Sequence, residues 1–468
     1  MPTGRPHYRA WKRGITACFV NVGSDHPSII ETIVKRKRER PHNWLRMITC
    51  PSEVITISMI DGYARVAGRP QAVLVHVDVG TQALGQGIHN ASVGHVPEAP
   101  DQKANIWQYC RYTGEVHTGL IVKQTIEHQR VPIGPTALPP DALRDIATAL
   151  VHAERPLIIT GYSGRDQRTP DDVCFPFSHP ASKGSRFRMY ECTKDADVIL
   201  LLDYDVPWIP SHNAPPPDYL LTTMLQDPKF APRRATRTVL HKKRMAEIAS
   251  QLKLDDEDQL DAHNVGNILK TSLPESATFV VEAVTSAQAL FSQLQPDRPG
   301  SWINCRRTGI GWSNCAVLGV KMALDDMEKD HDKPNLVCQL VDDGSFMCAA
   351  PSSALWVASK CNISVLTVVL NNKGPPKLYP AYPNGLNATV SDEEINVSFS
   401  PTPNYAALAG ASAGSKVEWE NNRHKLGAWM QGLRVRPVGE LNDALRLASR
   451  RISEAKRGML IEVLMWII

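Results

Sequence analysis

The segment Asp342-Asp343-Gly344-Ser345-Phe346 follows an apolar run ending at Val341, and Asn371-Asn372 follows a second one, SVLTVVL. A carboxylate at one strand end and an amide at the next would converge at the carboxyl edge of a parallel sheet, where open α/β sheets take ligands. One Asp, one Asn and a backbone carbonyl make an all-oxygen donor set, which suits magnesium with phosphate in its shell. Taken singly, an Asp-Gly after a strand is ordinarily a turn, and Asn-Asn a loop. Glu53 opens an apolar helical pattern after Pro51-Ser52; alone, it is the first-turn acid that a helix dipole favours. His76, Asp78, His89 and His95 would suggest a metal hydrolase, but their spacing fits no i, i+4 helix pair and no ligand pattern.

The elements that must position these groups alternate between strand and helix, a pattern that favours parallel sheets with crossover helices. ITACFV (Ile15 to Val20) reads as a buried strand running into the Gly23 to Pro27 turn, with a helix from Ser28. A second helix runs from Pro51-Ser52 through Met59 and Ala64, QAVLVHV (Gln71 to Val77) is a strand, and Gly80 to Ser92 starts a glycine-bearing helix. Proline-rich connections near residues 131–140 and 213–217 bracket two apolar strands, PLIIT and VILLL. In the last third, strands are expected at Thr278 to Val281, Leu336 to Val341, Ser364 to Leu370 and Met459 to Leu464. Helices are expected at Thr285 to Gln293, Val317 to Glu328, Ala349 to Ser359 and Glu440 to Arg451. The expectation is an α/β protein of three domains, 1–138, 139–270 and 271–468. The outer two read as separate α/β units of one kind.

The stretch DDGSFMCAAPSSALWVASKCNISVLTVVLNNKG, with 26 residues from Ser345 to Leu370 between Gly344 and Asn371, resembles the cofactor segment of thiamine-diphosphate-dependent enzymes of the acetolactate synthase, benzoylformate decarboxylase and 2-oxoacid decarboxylase kind. These carry Gly-Asp-Gly and, after a comparable separation, Asn-Asn. The run from Glu53 to Pro70, EVITISMIDGYARVAGRP, is a second match: a glutamate at a helix start followed by the D-G-Y-A-R-x-x-G-x-P signature. A softer third is Glu282-Ala-Val-Thr285 followed by Thr308-Gly309-Ile310-Gly311-Trp312. The resemblance implies that Asp343, Asn372 and the carbonyl of Gly374 ligate magnesium, and that Gly344 and Ser345 lie against the diphosphate. It implies that Glu53 hydrogen-bonds the aminopyrimidine ring as the catalytic acid–base group, and that Ile310 props the cofactor. A core isoleucine between turn glycines reads equally well there. Asp25, His26 and His89 are candidate substrate-side residues.

The resemblance implies a magnesium-dependent decarboxylase or carboligase of a small 2-oxoacid, acting as a homodimer or homotetramer with its site between subunits. The chain departs from the pattern in places. Asp342 replaces the first glycine of Gly-Asp-Gly, Cys305-Arg306-Arg307 stands where relatives use small residues, and Pro375-Pro376 stiffens a usually mobile stretch. The resemblance implies doubly wound parallel sheets in the outer two domains and a Rossmann-like central one, with sheet elements missing from the first two, since EAPDQKANIWQYCRY and DQRTPDDVCFPF lie where relatives have them. The alternative is therefore a degenerate non-catalytic paralogue, or a truncated gene model, keeping the fold for binding or assembly.

A net charge of +4 on 468 residues points to no nucleic-acid partner. The basic runs Lys35 to Arg40 and Arg233 to Arg244 lack interleaved aromatics and read as solvated helix surface. No apolar run reaches the length of a membrane span. Ten cysteines with no C-x-x-C support neither a zinc site nor a disulfide framework. Cytosol is the default expectation, with the basic start MPTGRPHYRAWKRG leaving a mitochondrial address open.

Overall fold

The computed structural model describes residues 15–24, 26–39, 45–69, 71–76, 78–94, 140–160, 196–202, 230–304, 309–328, 335–373, 398–413 and 429–466. Asp25, His95, Cys305 to Arg307 and Gly374 to Pro376, singled out above, lie outside them.

The first unit is built from β1 (Ala17–Val20), α1 (Pro27–Glu39), β2 (Arg46–Thr49), α2 (Glu53–Ala67), β3 (Ala72–Leu74), α3 (Val79–Ala83) and α4 (Gly85–Val93). Its strands form a parallel sheet in the order β2-β1-β3. β1 is buried along its whole length, which is why its sequence is a continuous apolar run rather than an alternating one. α2 ends at Gly68, whose left-handed φ of 62° lets its amide reach the Ala64 carbonyl, a closure that glycine makes without a Cβ penalty.

The middle of the chain contributes α5 (Pro140–His152), β4 (Pro156–Thr160), β5 (Val198–Leu202) and α6 (Phe230–Ala249). β4 and β5 pair in parallel. The basic run from Arg233 to Arg244 lies within α6, and α1 carries Arg36, Lys37 and Arg38 in its last turn.

The C-terminal unit comprises α7 (Ala262–Ser272), β6 (Thr278–Glu282), α8 (Ala287–Leu294), β7 (Trp302–Asn304), α9 (Ser313–Met327), β8 (Val337–Asp342) and α10 (Asp343–Cys348), and then α11 (Pro351–Lys360), β9 (Leu366–Asn371), α12 (Tyr405–Ser412), β10 (Gln431–Val435), α13 (Val438–Ser453) and β11 (Met459–Leu464). Its six strands are parallel in the order β10-β11-β9-β8-β6-β7. β6, β8 and β9 are buried throughout, covered on both faces. α7 starts at Asp261, whose side chain accepts the Asn264 amide at 2.8 Å, and α12 at Asn404, which accepts from Ala407 at 2.9 Å; both are side-chain caps on otherwise orphaned amides.

One apolar core lies under α7, α8 and α13, joining Leu269, Leu290, Leu445 and Val281. The other is shared between the first and last units: Phe19, Ile55, Met59 and Tyr63 pack with Trp312, Cys315, Val320 and Phe346. Its centre is the crossing of α2 and α9. A Cβ on Gly62 would lie 2.1 Å from the Ala316 carbonyl oxygen, and one on Gly319 would lie 1.8 Å from that of Met59. Each helix thus offers a glycine to the other's backbone. Polar groups flank the crossing: Trp312 Nε1 donates to Asp61, Arg65 pairs with Asp61 at 2.7 Å, and its guanidinium sits 4.6 Å from the Trp312 ring centroid. Tyr63 donates to Asp326 at 2.7 Å.

One local expectation needs correction. The helix expected from Ala349 begins at Pro351, two residues later than the apolar pattern suggested, and Asp343 to Cys348 forms a short helix before it. Proline is well placed there, since a first-turn residue needs no intrahelical amide bond.

Candidate functional site

The strand register brings the motif residues to one edge. Asp342 pairs with Leu370, Asn371 with Leu464, and Glu282 with Val341, so β6, β8, β9 and β11 end side by side. Asp343 begins α10 and is buried, its Oδ1 accepting the Gly344 amide at 2.7 Å. Ser345 is also buried. Asn372 follows β9 directly, and Lys373 then takes a left-handed φ of 65° that turns the chain away.

A buried carboxylate, Glu462, organises this edge. It accepts from Asn371 Nδ2 at 2.7 Å, from Arg434 at 2.8 Å and from the Ala406 amide at 2.9 Å. Asn371 in turn accepts the Lys373 amide at 3.2 Å. The first asparagine of the pair is thereby fixed in the scaffold, and the second stands at the strand end.

Asp342 sits beside this group. Its Oδ2 accepts the amide and the hydroxyl of Thr285, at 2.9 and 2.8 Å, while Oδ1 is buried without a hydrogen-bond partner. Burial pushes the Asp342 carboxyl up to about 6, against the pull of the Thr285 bonds. Oxygen donors from Asp343 and Asn372 at adjoining strand ends are of the hard kind that magnesium takes. Among the described residues no three His, Cys, Asp or Glu side chains cluster as a metal site. A cation here would thus need amide, carbonyl or ligand oxygens as well.

Next to this edge lies the Gly309-Ile310-Gly311 turn. Glu282, 1% exposed, accepts the Gly311 amide through Oε1 and the Ser313 amide through Oε2, both at 2.8 Å. Burial raises its carboxyl to about 7 despite those bonds. From the first unit, Asn90 accepts the Gly309 amide at 2.8 Å and donates to the Gly309 carbonyl at 3.1 Å, and Gln86 donates to the Ile310 carbonyl at 2.8 Å. The Ile310 residue itself is 44% exposed, so it is not the core isoleucine that the sequence equally allowed.

In the first unit, Glu53 stands at the start of α2 and accepts Asn21 Nδ2 at 2.9 Å. Gly80 leaves room for it, since a Cβ there would lie 3.2 Å from Glu53 Oε1 and 3.1 Å from His76 Cβ. His26 is buried, its Nε2 lies 3.2 Å from the Val75 carbonyl, and its ring meets that of His76 edge-on at 5.3 Å. The strand ends of this unit thus gather Glu53, Asn21, His26 and His76. His89 is exposed on α4. His76 was set aside with the metal-cluster reading, and no role was assigned to Asn90, Gln86, Glu282 or Glu462. Nothing in their spacing signals a partner, because each bonds the backbone or side chains of a distant segment.

The N-terminal thiamine pyrophosphate-binding domain of thiamine pyrophosphate enzymes matches residues 8–97, and their C-terminal binding domain matches residues 283–463. A Mycobacterium tuberculosis protein named as acetolactate synthase large subunit-like is 38% identical over 87 residues. That match spans 18% of this chain and 15% of that protein's length. In fold, the chain is similar to a thiamine diphosphate-dependent 4-hydroxybenzoylformate decarboxylase of Rhodococcus jostii RHA1, with a TM-score of 0.70, 18% identity and 100% of both chains covered. It is likewise similar to a benzoylformate decarboxylase from Polynucleobacter necessarius, with a TM-score of 0.65, 16% identity and 99% and 98% of the two chains covered. Two separate domain matches, falling on the unit that carries Glu53 and on the unit that carries Asp343 and Asn372, agree with the shared core between them: the chain belongs to the thiamine pyrophosphate enzyme family.

Proposed function

We propose that the protein is a thiamine-diphosphate- and magnesium-dependent enzyme that decarboxylates a small 2-oxoacid or joins it to a second carbonyl compound, in the manner of acetolactate synthase. The observation that carries this reading is the register of β8 and β9, which sets Asp343 and Asn372 at neighbouring strand ends beside the Ile310 turn. In this reading Asp343 and Asn372, with the Gly374 carbonyl, hold magnesium, and Gly344 and Ser345 receive the diphosphate. Ile310 supports the organic half of the cofactor. When bound, thiamine diphosphate supplies the carbon nucleophile and the electron sink. Glu53 holds and moves a proton at its carboxylate, which Asn21 orients. His26 and His89, with Asp25, are the residues of this chain that we assign to the substrate side, and His76 joins them by its place against His26.

The domain limits 1–138, 139–270 and 271–468 are part of this proposal, as are a cytoplasmic location and assembly as a homodimer or homotetramer. Assembly is supported by the exposed apolar side chains Val284 and Met347 at the site edge, which a second copy would remove from water. No helix among the described residues is long and apolar enough to cross a membrane. The second reading, a non-catalytic paralogue, is favoured by Asp342, a buried carboxylate standing where relatives have glycine.

Titration with thiamine diphosphate at several magnesium concentrations, followed by product analysis with pyruvate and other 2-oxoacids, tests both. Magnesium-dependent binding with turnover supports the enzyme. Neither binding nor turnover supports the paralogue.

A further inference from the structure

The turn that carries Ile310 is held in an unusual way for an exposed segment. Its backbone amides at Gly309 and Gly311 and its carbonyls at Gly309 and Ile310 are all bonded to side chains, and those side chains come from two different units of the fold. Asn90 approaches from α4 and closes a two-bond ring on Gly309. Glu282 approaches from the end of β6 and spans Gly311 and Ser313. Both side chains are buried, at 1% exposure for each residue. The turn also leaves no slack: Gly311 has φ of +96°, and a Cβ on it would lie 2.4 Å from Ala349 Cβ. A Cβ on Gly309 would lie 2.7 Å from the Gln86 side chain.

Between these fixed glycines stands a large apolar residue 44% exposed. An isoleucine on a loose surface loop can fold back onto apolar surface. This one is denied that movement by its own backbone bonds, so its exposed face is presented in one place. Glu282 is kept there although burial raises its carboxyl to about 7, so the clamp is retained against a desolvation penalty.

We propose that Asn90 and Glu282 are positioning residues that together fix the Ile310 turn, and through it the seat for the organic half of the cofactor. This rests on the thiamine diphosphate reading given above. Asn90 also makes the seat depend on how the first unit docks, because it rides on α4 of that unit.

Asn90→Asp and Glu282→Gln test this with little change of shape. Asp keeps the acceptor for the Gly309 amide but cannot donate to its carbonyl, and Gln keeps one acceptor and turns a donor toward an amide. The first measurement is amide hydrogen exchange over residues 309–313 in the cofactor-free protein, where both variants should exchange faster than the parent while α9 beyond its first turn stays protected. The second compares magnesium-dependent binding of thiamine diphosphate and of inorganic pyrophosphate, which lacks the organic half. Each variant should bind thiamine diphosphate roughly tenfold more weakly, the effect of one buried bond left unmade, and pyrophosphate as the parent does. Unchanged exchange in both variants overturns the clamp, and an equal loss with both ligands overturns the positioning role in favour of general damage. A parent protein that binds pyrophosphate but not thiamine diphosphate overturns the functional reading and the seat with it, whereas faster exchange in the variants still supports the clamp.

Discussion

Replacing Gly319 by alanine is the sharpest test of how the first and last units are joined. The new Cβ would lie 1.8 Å from the Met59 carbonyl oxygen and 2.8 Å from the Tyr63 amide nitrogen. Ordinary contact begins near 3.4 Å, so α2 and α9 must separate by roughly 1.5 Å at the crossing, because main chain, unlike a flexible side chain, cannot swing aside. Overpacking of this kind costs about 1–3 kcal/mol, and the better helix propensity of alanine returns about 1. With backbone on the receiving side, a net loss of about 2 kcal/mol is expected. For a cooperative unit of this size that is a fall in melting temperature of about 4–8 °C. Gly410 is the control: it lies within α12 with nothing within 4 Å of its would-be Cβ, so Gly410→Ala should stabilise by about 0.5–1 kcal/mol. Calorimetry on both variants decides the matter. A Gly319→Ala protein that melts at or above the parent temperature, with Gly410→Ala behaving as stated, would show that α2 and α9 do not meet at their glycines.

Other outcomes follow from the site itself. Glu53→Gln should slow proton exchange at the reactive carbon of bound thiamine diphosphate by about 100-fold or more, the low end for a general acid–base group; unchanged exchange rules out its assigned role. Asp343→Ala and Asn372→Ala should each weaken thiamine diphosphate binding in a way that added magnesium partly restores, and retained affinity in both would show the metal site is misassigned. Glu282, raised from 4.5 to about 7, binds its proton more tightly folded than unfolded. Its contribution to stability is therefore full below pH 4.5 and lost as pH rises through 7, about 3 kcal/mol in all. Denaturant titrations from pH 5 to 8 should show a fall in the parent that Glu282→Gln flattens, and parallel curves would refute it. Asp342→Gly should tighten thiamine diphosphate binding several-fold at fixed magnesium, as calorimetry would show.

The parts of the fold legible in the sequence are those buried on both faces. VCQLVD, LTVVLN and MLIEVL are the central strands β8, β9 and β11, and their apolar runs mark them without any need for alternation. The strands that escaped notice, β2, β7 and β10, are all at sheet edges and only three to five residues long. One covered flank and so few residues leave no period to detect. That Glu53 opens a helix and that Asp343 and Asn372 stand at strand ends was legible because motif spacing survives in the chain. The bonds of Asn90 and Glu282 were not, since an amide received from a remote backbone leaves no trace in local sequence, and Glu282 was visible only as the first residue of the softer Glu282-Ala-Val-Thr285 match.

Asp342 shows where charge counted from sequence and geometry diverge. From sequence, the resemblance makes it a second carboxylate beside the proposed metal ligand Asp343 and the proposed diphosphate site. Two unit charges about 4 Å apart interact by about 1 kcal/mol in water and about 4 kcal/mol at an effective dielectric of 20. The structure shows the same residue bracing Thr285, and so tying the end of β8 to the chain leaving β6. Two such bonds are worth about 1–3 kcal/mol together, a sum of the same order as the repulsion. The two effects act on different equilibria, however. The brace and the repulsion from Asp343 belong to the folded protein whether or not cofactor is present, whereas repulsion from the diphosphate is felt only when it arrives. Asp342→Gly should therefore lower the melting temperature and raise the affinity for thiamine diphosphate in the same protein. A variant that loses both would mean that the carboxylate helps hold the metal, and that its place beside Asp343 is an added ligand rather than an intrusion.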